Sequence, residues 1–510
     1  VLERTRVPID EFAVAAALES EGIRDLDART RFGNTDVFDL ARDVFGACLE
    51  RAAAVAAPSE RPTATERRAA VKRFFRYYGL GVLFALPILL QVGTVITVRV
   101  SNGFTDAQAT AVMVGSILSF LATGGFSQAI GRLGSTYTSR SAYHLARPLI
   151  WRMIRMGLIA ALVTGALWMI LAVTLEPFPL RIAVMALEYH LALSWLWLSL
   201  AVLYMLEKRF LVIAMAVIWL GIFGILAGVV GTSIEVAQLP GYLVAAAVAT
   251  VISWRLLRRL ERSTPASALQ ERLPRDPILL HGTAAYFVYG VLYFCLLFAD
   301  RVVSWSANPP DGFLFYFERR YELGLDWALL SLVLTIAVLE YTIHEFADVI
   351  EPVQKRFTVH RLRQHNRAFL RFYLRQLGLL FAVGLGSGLV VYWGVTWASV
   401  PGRVPGLDGL FTAPLTERVF FFGVAAYGLL AVALMNAVVL FFLSRPRGAV
   451  AGLTSAIVVT VGVGLVLSRV YEPWTSAIGL LAGAGTFALV TGIAALRVVR
   501  NMDYYYYASY

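Results

Sequence analysis

Apolar positions run through this chain in blocks of about twenty, broken by short polar and basic connections. A helix needs about 20 apolar residues to cross a ~30 Å hydrocarbon core. Only helices or closed barrels satisfy their backbone there, and continuous apolar runs lack the alternation of a barrel. The blocks predict twelve membrane helices, at 79–98, 107–130, 153–175, 181–206, 210–229, 241–256, 282–305, 325–346, 377–397, 417–443, 449–468 and 475–496. Ahead of them, Asp10 to Glu21 reads as a short amphipathic helix stopped by Gly22. A second runs from Asp25 to Phe32 and ends at Gly33, and Asn34-Thr35-Asp36 caps a third from Val37 to about Ala56. Pro58 to Pro62 is a linker.

Loop lengths repeat. The connection after the second span is long and that after the fourth nearly absent; after the eighth and tenth spans the same holds. Like-oriented repeats of six spans place a transporter's substrate at their interface. The expected fold is therefore an all-α polytopic membrane protein with about 12 transmembrane helices, in two six-helix lobes around a central cavity. Its parts are a cytoplasmic extension and linker (1–66), an N-terminal lobe (67–256), an inter-lobe linker (257–281) and a C-terminal lobe (282–510).

Composition agrees, since 58% of the 510 residues are hydrophobic. The formal charge of +11 raises nucleic acid as a partner, but the basic residues sit in loops between apolar spans, so no nucleic-acid partner is expected. Alternate connections hold 29 Lys and Arg on one side and 8 on the other, which puts both termini in the cytoplasm. The amino terminus has no signal-peptide pattern, and Val1 in place of Met suggests trimming or upstream sequence. Cys48 and Cys295 show no metal spacing and are expected as free thiols. No Walker motif, dinucleotide fingerprint or metal cluster appears, so no cofactor, metal or enzymatic activity is expected.

Charges inside apolar runs are costly and by default face a bundle interior or a wet cavity. The stretch from Tyr286 to Phe357 carries most of them. Asp300 and Arg301 read either as a charged cavity wall or as an interfacial pair closing the helix end, with Trp305 in the aromatic belt. Glu340 and His344 share a helix face, with Glu345 beside it. They form either a proton-exchanging pair or charges snorkelling at the cytoplasmic boundary, near Glu351-Pro352. Glu188 and His190, two apart, cannot share a face, so either one lines the cavity while the other meets a neighbour or both are structural. Pro87 kinks the first span as a hinge or a fixed bend. Gln91 and Asn436 bond either to sugars or between helices. The basic stretches Arg132–Arg155 and Lys355–Arg375 read as amphipathic helices lying on anionic lipids or as a docking surface for a glycosyltransferase, and Tyr504 to Tyr507 as an interfacial anchor.

Several runs in order resemble the PelG-like exopolysaccharide exporters of the multidrug/oligosaccharidyl-lipid/polysaccharide (MOP) flippase superfamily. They are Leu292-Tyr293 with Ala299-Asp300-Arg301 and Trp305, Tyr321-Glu322 leading into Leu329-Leu330-Ser331, and Glu345-Phe346 followed by Arg356-Phe357. Gly124-Gly125, Pro87, Ala433 to Asn436 and the tyrosine-rich tail after Asp503 fit as well. The resemblance covers about 75–510. It departs at Tyr341 and Ile343, where the family carries Arg and Glu, and at Arg301, where it often has Lys. It implies export of a Pel-like polysaccharide across a bacterial cytoplasmic membrane, alongside a cytoplasmic glycosyltransferase and other Pel-type membrane components. The competing readings are a lipid-linked oligosaccharide flippase, a drug or ion antiporter of the same fold, a membrane glycosyltransferase using Asp311, Glu318 and Glu322, and a non-transporting scaffold.

Overall fold

The computed structural model describes residues 10–54, 68–82, 105–264, 273–346, 362–403, 411 and 413–507. Among them there is no strand. The helices, numbered here along the chain, are α1 (Glu11–Ser20), α2 (Val37–Ala54), α3 (68–82), α4 (Asp106–Ser139), α5 (Tyr143–Leu175) and α6 (Leu180–Met205). There follow α7 (Arg209–Gly224), α8 (Ile234–Arg262), α9 (Asp276–Trp305), α10 (Arg319–Glu345) and α11 (Leu362–Ala398). The last are α12 (Pro414–Phe442), α13 (Pro446–Val470), α14 (Ser476–Arg500) and the short α15 (Met502–Tyr507). Eleven helices among the described residues are long and apolar enough to cross a membrane. They match the expected spans from the second to the twelfth. The first expected span lies almost wholly outside the described residues, and Pro87 and Gln91 with it.

Packing divides the chain into two compact units. One comprises Val1–Gly81, Ala337–Leu379 and Leu496–Tyr510; the other comprises Val82–Ile336 and Leu380–Ala495. Within the first, α1 and α2 bury a small core of Val14, Ala15, Leu18, Val37, Leu40, Ala41 and Phe45. Its turns follow the local signals. Asp10 caps α1 by accepting from the Ala13 N–H at 2.7 Å, and Gly22 leaves it at φ +85°. The expected second helix is one turn, Asp25–Asp27, widened into a π segment, Ala28–Phe32, before Gly33 at φ +79°. Asp36 caps α2 at the Asp39 N–H, 2.8 Å. The Thr35 N–H and hydroxyl donate to Asp39 in turn, holding its carboxyl below the usual carboxylate range. Also in this unit, α3 lies so close to α10 that a Cβ on Gly81 would sit 2.8 Å from the Ala337 backbone.

In the second unit α4 packs along α6 and α9, and α8 lies against α6 and α7. Two glycines allow the crossing of α4 and α9, because a Cβ on Gly290 would stand 2.4 Å from the Gly124 carbonyl oxygen. Three of the tight turns share one backbone course. Ser141, Glu207 and Ser444 take φ of 58°, 54° and 53°. The following N–H reaches back five residues in each: Ala142 to Tyr137, Lys208 to Leu203 and Arg445 to Leu440, at 2.9, 2.9 and 2.8 Å. This is the Schellman closure, made here without its usual glycine. Two of the three lie at corresponding places, after the fourth and tenth expected spans.

The basic stretches depart from expectation. Arg132 lies on α4, and Arg147 and Arg155 on α5; only Arg140 to Ala142 separate the two helices. Arg367, Arg371 and Arg375 likewise belong to the 37-residue α11. At 1.5 Å per residue that helix is about 55 Å long, so its basic end overhangs a ~30 Å core as part of the same helix, while 355–361 lie outside the described residues. Gly134 and Pro148 lie inside α4 and α5 without ending them, and hydrophobicity alone marks only the hydrocarbon boundary.

Candidate functional site

In the second unit the helix pair α9 and α10 is joined by a buried polar cluster. Arg301 and Trp305 are four apart on α9, as are Glu322 and Asp326 on α10, so each pair presents one face. The Arg301 guanidinium binds the Glu322 carboxylate and reaches Asp326 Oδ1 from Nη2 at 3.3 Å. The Trp305 indole N–H donates to Glu322 Oε1 at 2.9 Å. Beside them the Tyr321 hydroxyl donates to Asp300 Oδ2 at 2.7 Å and accepts from Ser476 of α14 at 3.0 Å. The hydroxyl of buried Tyr427, on α12, stands by the same guanidinium. One arginine thus bridges two carboxylates away from water, where each charge needs its partners to remain.

Next to this cluster lies a cavity of about 460 Å³. Its walls come from α4 and α6 in the first half of the chain and from α9 and α10 in the second. Aromatic rings dominate: Phe120 stacks on Phe294 at 4.6 Å and packs against Trp197 at 4.8 Å, and Tyr204, Tyr293 and Phe298 complete the wall. Ser116, Thr123, Ser127, Gln128, Arg301 and Asp326 supply its polar groups. Apolar walls with a few placed polar groups make a binding cavity for an amphipathic ligand. A sugar ring has that character, with C–H faces for aromatic rings and hydroxyls for side-chain donors and acceptors.

The family profile of PelG, described as "Putative exopolysaccharide Exporter (EPS-E)", matches residues 76–507. The chain belongs to the PelG family. Its fold is that of the MATE transporters. A mutant of the Vibrio cholerae MATE transporter VcmN superposes with a TM-score of 0.57 at 14% identity, covering 86% of this chain and 99% of that one. An outward-facing multidrug resistance MATE transporter of the MOP superfamily gives 0.55 at 12% identity, over 85% and 97%. The eukaryotic MATE transporter AtDTX14 gives 0.52 at 12% identity, over 85% and 99%. No curated protein matches. This PelG-family chain is a multi-pass membrane transporter, and the family implies a polysaccharide substrate.

The structure treats the expected site residues unequally. Asp300 and Arg301 are buried in the interior, and Trp305, at 1% exposure, is no part of a lipid-facing belt because its N–H is committed to Glu322. Glu322 is not a loop acid but stands in the first turn of α10. Asp326 was missed. The signal was available, since acids at 322 and 326 share the four-residue spacing of Arg301 and Trp305.

In the first unit, Glu345 is buried between Arg73 of α3 and Arg375 of α11, each at 3.3 Å. His344 is half-buried and stacks on Tyr77 at 4.2 Å. Its Nδ1 lies 2.8 Å from the Glu340 carbonyl and 3.9 Å from the Glu340 carboxylate. Glu188 is exposed whereas His190 is buried, its Nε2 against the Ala161 carbonyl at 2.8 Å and the Thr164 hydroxyl at 3.0 Å. Asn436 is buried and ties α12 to α14 through Thr491 Oγ1 at 3.3 Å.

Proposed function

We propose that the chain exports a polysaccharide outward across the cytoplasmic membrane, with the cavity flanked by Arg301 and Asp326 as part of the sugar path. The observation that carries this reading is a cavity walled by helices of both halves, with aromatic faces and polar groups placed together. The corresponding turns at Glu207 and Ser444 support two like-built halves, 67–256 and 282–510. Movement by alternating access requires only that the sugar bind the inward- and outward-open states differently. The bias of Lys and Arg supports cytoplasmic termini, and the basic helix overhangs suit a cytoplasmic glycosyltransferase, other Pel-type components and anionic lipids as partners.

Of the candidate residues, Arg301 acts at the cavity wall, while Asp300 and Trp305 hold the cluster that positions it. Glu340, His344 and Glu345 fall at the expected cytoplasmic ends of their spans and serve closure of the path there. Glu188, His190 and Asn436 serve packing.

The test is secretion from cells in which the chain is the only copy. Asp326→Asn and Tyr293→Ala are expected to cut secreted polymer about tenfold or more at equal membrane abundance, matching the loss of ~1.4 kcal/mol of pathway interaction. Undiminished secretion in both variants removes the cavity from the path. A drug antiporter would instead change drug sensitivity and leave polymer untouched.

A further inference from the structure

Away from the cavity, α5 and α8 bring their basic ends together. The lower part of α5 carries Arg147, Arg152 and Arg155, and its remainder from Gly157 to Leu175 has no charge. Helix α8 runs the other way along the sequence of polarity, uncharged from Leu239 to Trp254 and then basic at Arg255, Arg258, Arg259 and Arg262. Where the two meet, Arg147 pairs with Glu261 and an open groove of about 480 Å³ is lined by Arg147, Pro148, Trp151, Arg155, Trp254 and Glu261. Arg258 stacks over the Trp254 ring at 5.0 Å.

We infer that this groove binds the phosphate headgroup of an anionic phospholipid. Three observations converge. Arg147, Arg155 and Arg258 outnumber the single carboxylate, Glu261, which is already held by Arg147. Two donors of the lining, Arg147 Nε and the Trp151 indole N–H, are buried without an acceptor among the described residues. A phosphate oxygen reached by a small rotation of either side chain would satisfy a donor that the protein leaves open.

The third observation separates lipid from free phosphate. Directly along the same helices, Ile159, Leu162 and Val163 of α5 and Val251 of α8 are exposed apolar side chains. The groove therefore opens at the passage from hydrocarbon to headgroups, with a surface for acyl chains on one side and arginines on the other. Paired tryptophans at this depth are amphipathic anchors, and basic pockets between helices on the cytoplasmic side hold anionic headgroups.

The experiment uses the full chain, purified in neutral detergent and stripped of lipid, with bound lipid counted by native mass spectrometry. Phosphatidylglycerol is expected to fill one tight site ahead of phosphatidylcholine. Arg155→Gln should weaken phosphatidylglycerol about fivefold and leave phosphatidylcholine unchanged, the effect of one basic residue at the headgroup level. Trp151→Phe keeps an aromatic ring but removes the donor and should weaken the same site, which keeps the test readable if Arg155→Gln fails to fold. Equal binding of the two lipids to the unaltered chain overturns the inference, as does unchanged phosphatidylglycerol binding in the variants that fold. Displacement of phosphatidylglycerol by millimolar inorganic phosphate would assign the groove to free phosphate and overturn the lipid assignment.

Discussion

At the scale of single residues, the two acids that hold Arg301 differ in what else they touch. Glu322 is fully buried and takes both the guanidinium and the Trp305 N–H, whereas Asp326 holds the same arginine and also lines the cavity. Removing one partner of a buried ion pair strands the other and costs about 3–5 kcal/mol. Glu322→Gln is therefore expected to lower the amount of folded protein in the membrane, read as a lower melting temperature in detergent. Asp326→Asn leaves Glu322 with both the guanidinium and the Trp305 N–H, so its loss should appear in export. Equal melting temperatures for Glu322→Gln and the unaltered chain would show that the cluster contributes nothing net to stability. The acids at 322 and 326 were legible as a helical pair, but their burial was not, because an acid near a helix start reads equally well as solvated.

At the scale of the element, the three non-glycine Schellman turns show how short connections are enforced. A non-glycine residue in the left-handed region costs roughly 1 kcal/mol, and the corresponding turns at Glu207 and Ser444 both bear it. Glu207 is exposed, so Glu207→Gly removes that cost while losing no buried contact. It should stabilise the chain by up to about 1 kcal/mol, measured as a raised melting temperature in detergent; a lowered one would mean that the side chain holds the turn. Loop lengths point to the proposed repeat, yet the matching closures needed backbone coordinates, since neither Glu nor Ser announces a positive φ. The small N-terminal helices were more legible. Their caps and stops, Asp10, Gly22, Gly33 and Asp36, act through neighbours three to six residues away.

At the scale of the whole molecule, the proposed alternating access requires that ends of helices distant in sequence close and part. Glu345 is held by Arg73, 272 residues away, and by Arg375. Both arginines are partly exposed, so solvent screens part of the attraction, and the proposed closure at this end predicts a contact that can break. Glu345→Gln leaves two arginines without their anion. With Cys48 and Cys295 replaced, a thiol placed by Ala337→Cys, now buried against α3 near Gly81, should then react with maleimide about tenfold faster, matching ~1.4 kcal/mol. Unaltered labelling would make the clamp a static contact.

By itself the sequence determined the class, the second to twelfth spans, the caps and stops of the small N-terminal helices and the family, because each rests on neighbours along the chain: apolar length against bilayer thickness, caps against adjacent amides, motifs in their order. Tertiary structure alone decided which charges meet. Arg301 finding Asp326, Glu345 finding Arg73, and Trp305 turning inward all depend on how helices separated by tens to hundreds of residues lie side by side. The cost of a charge in an apolar run requires a partner, and only the packed helices say which one.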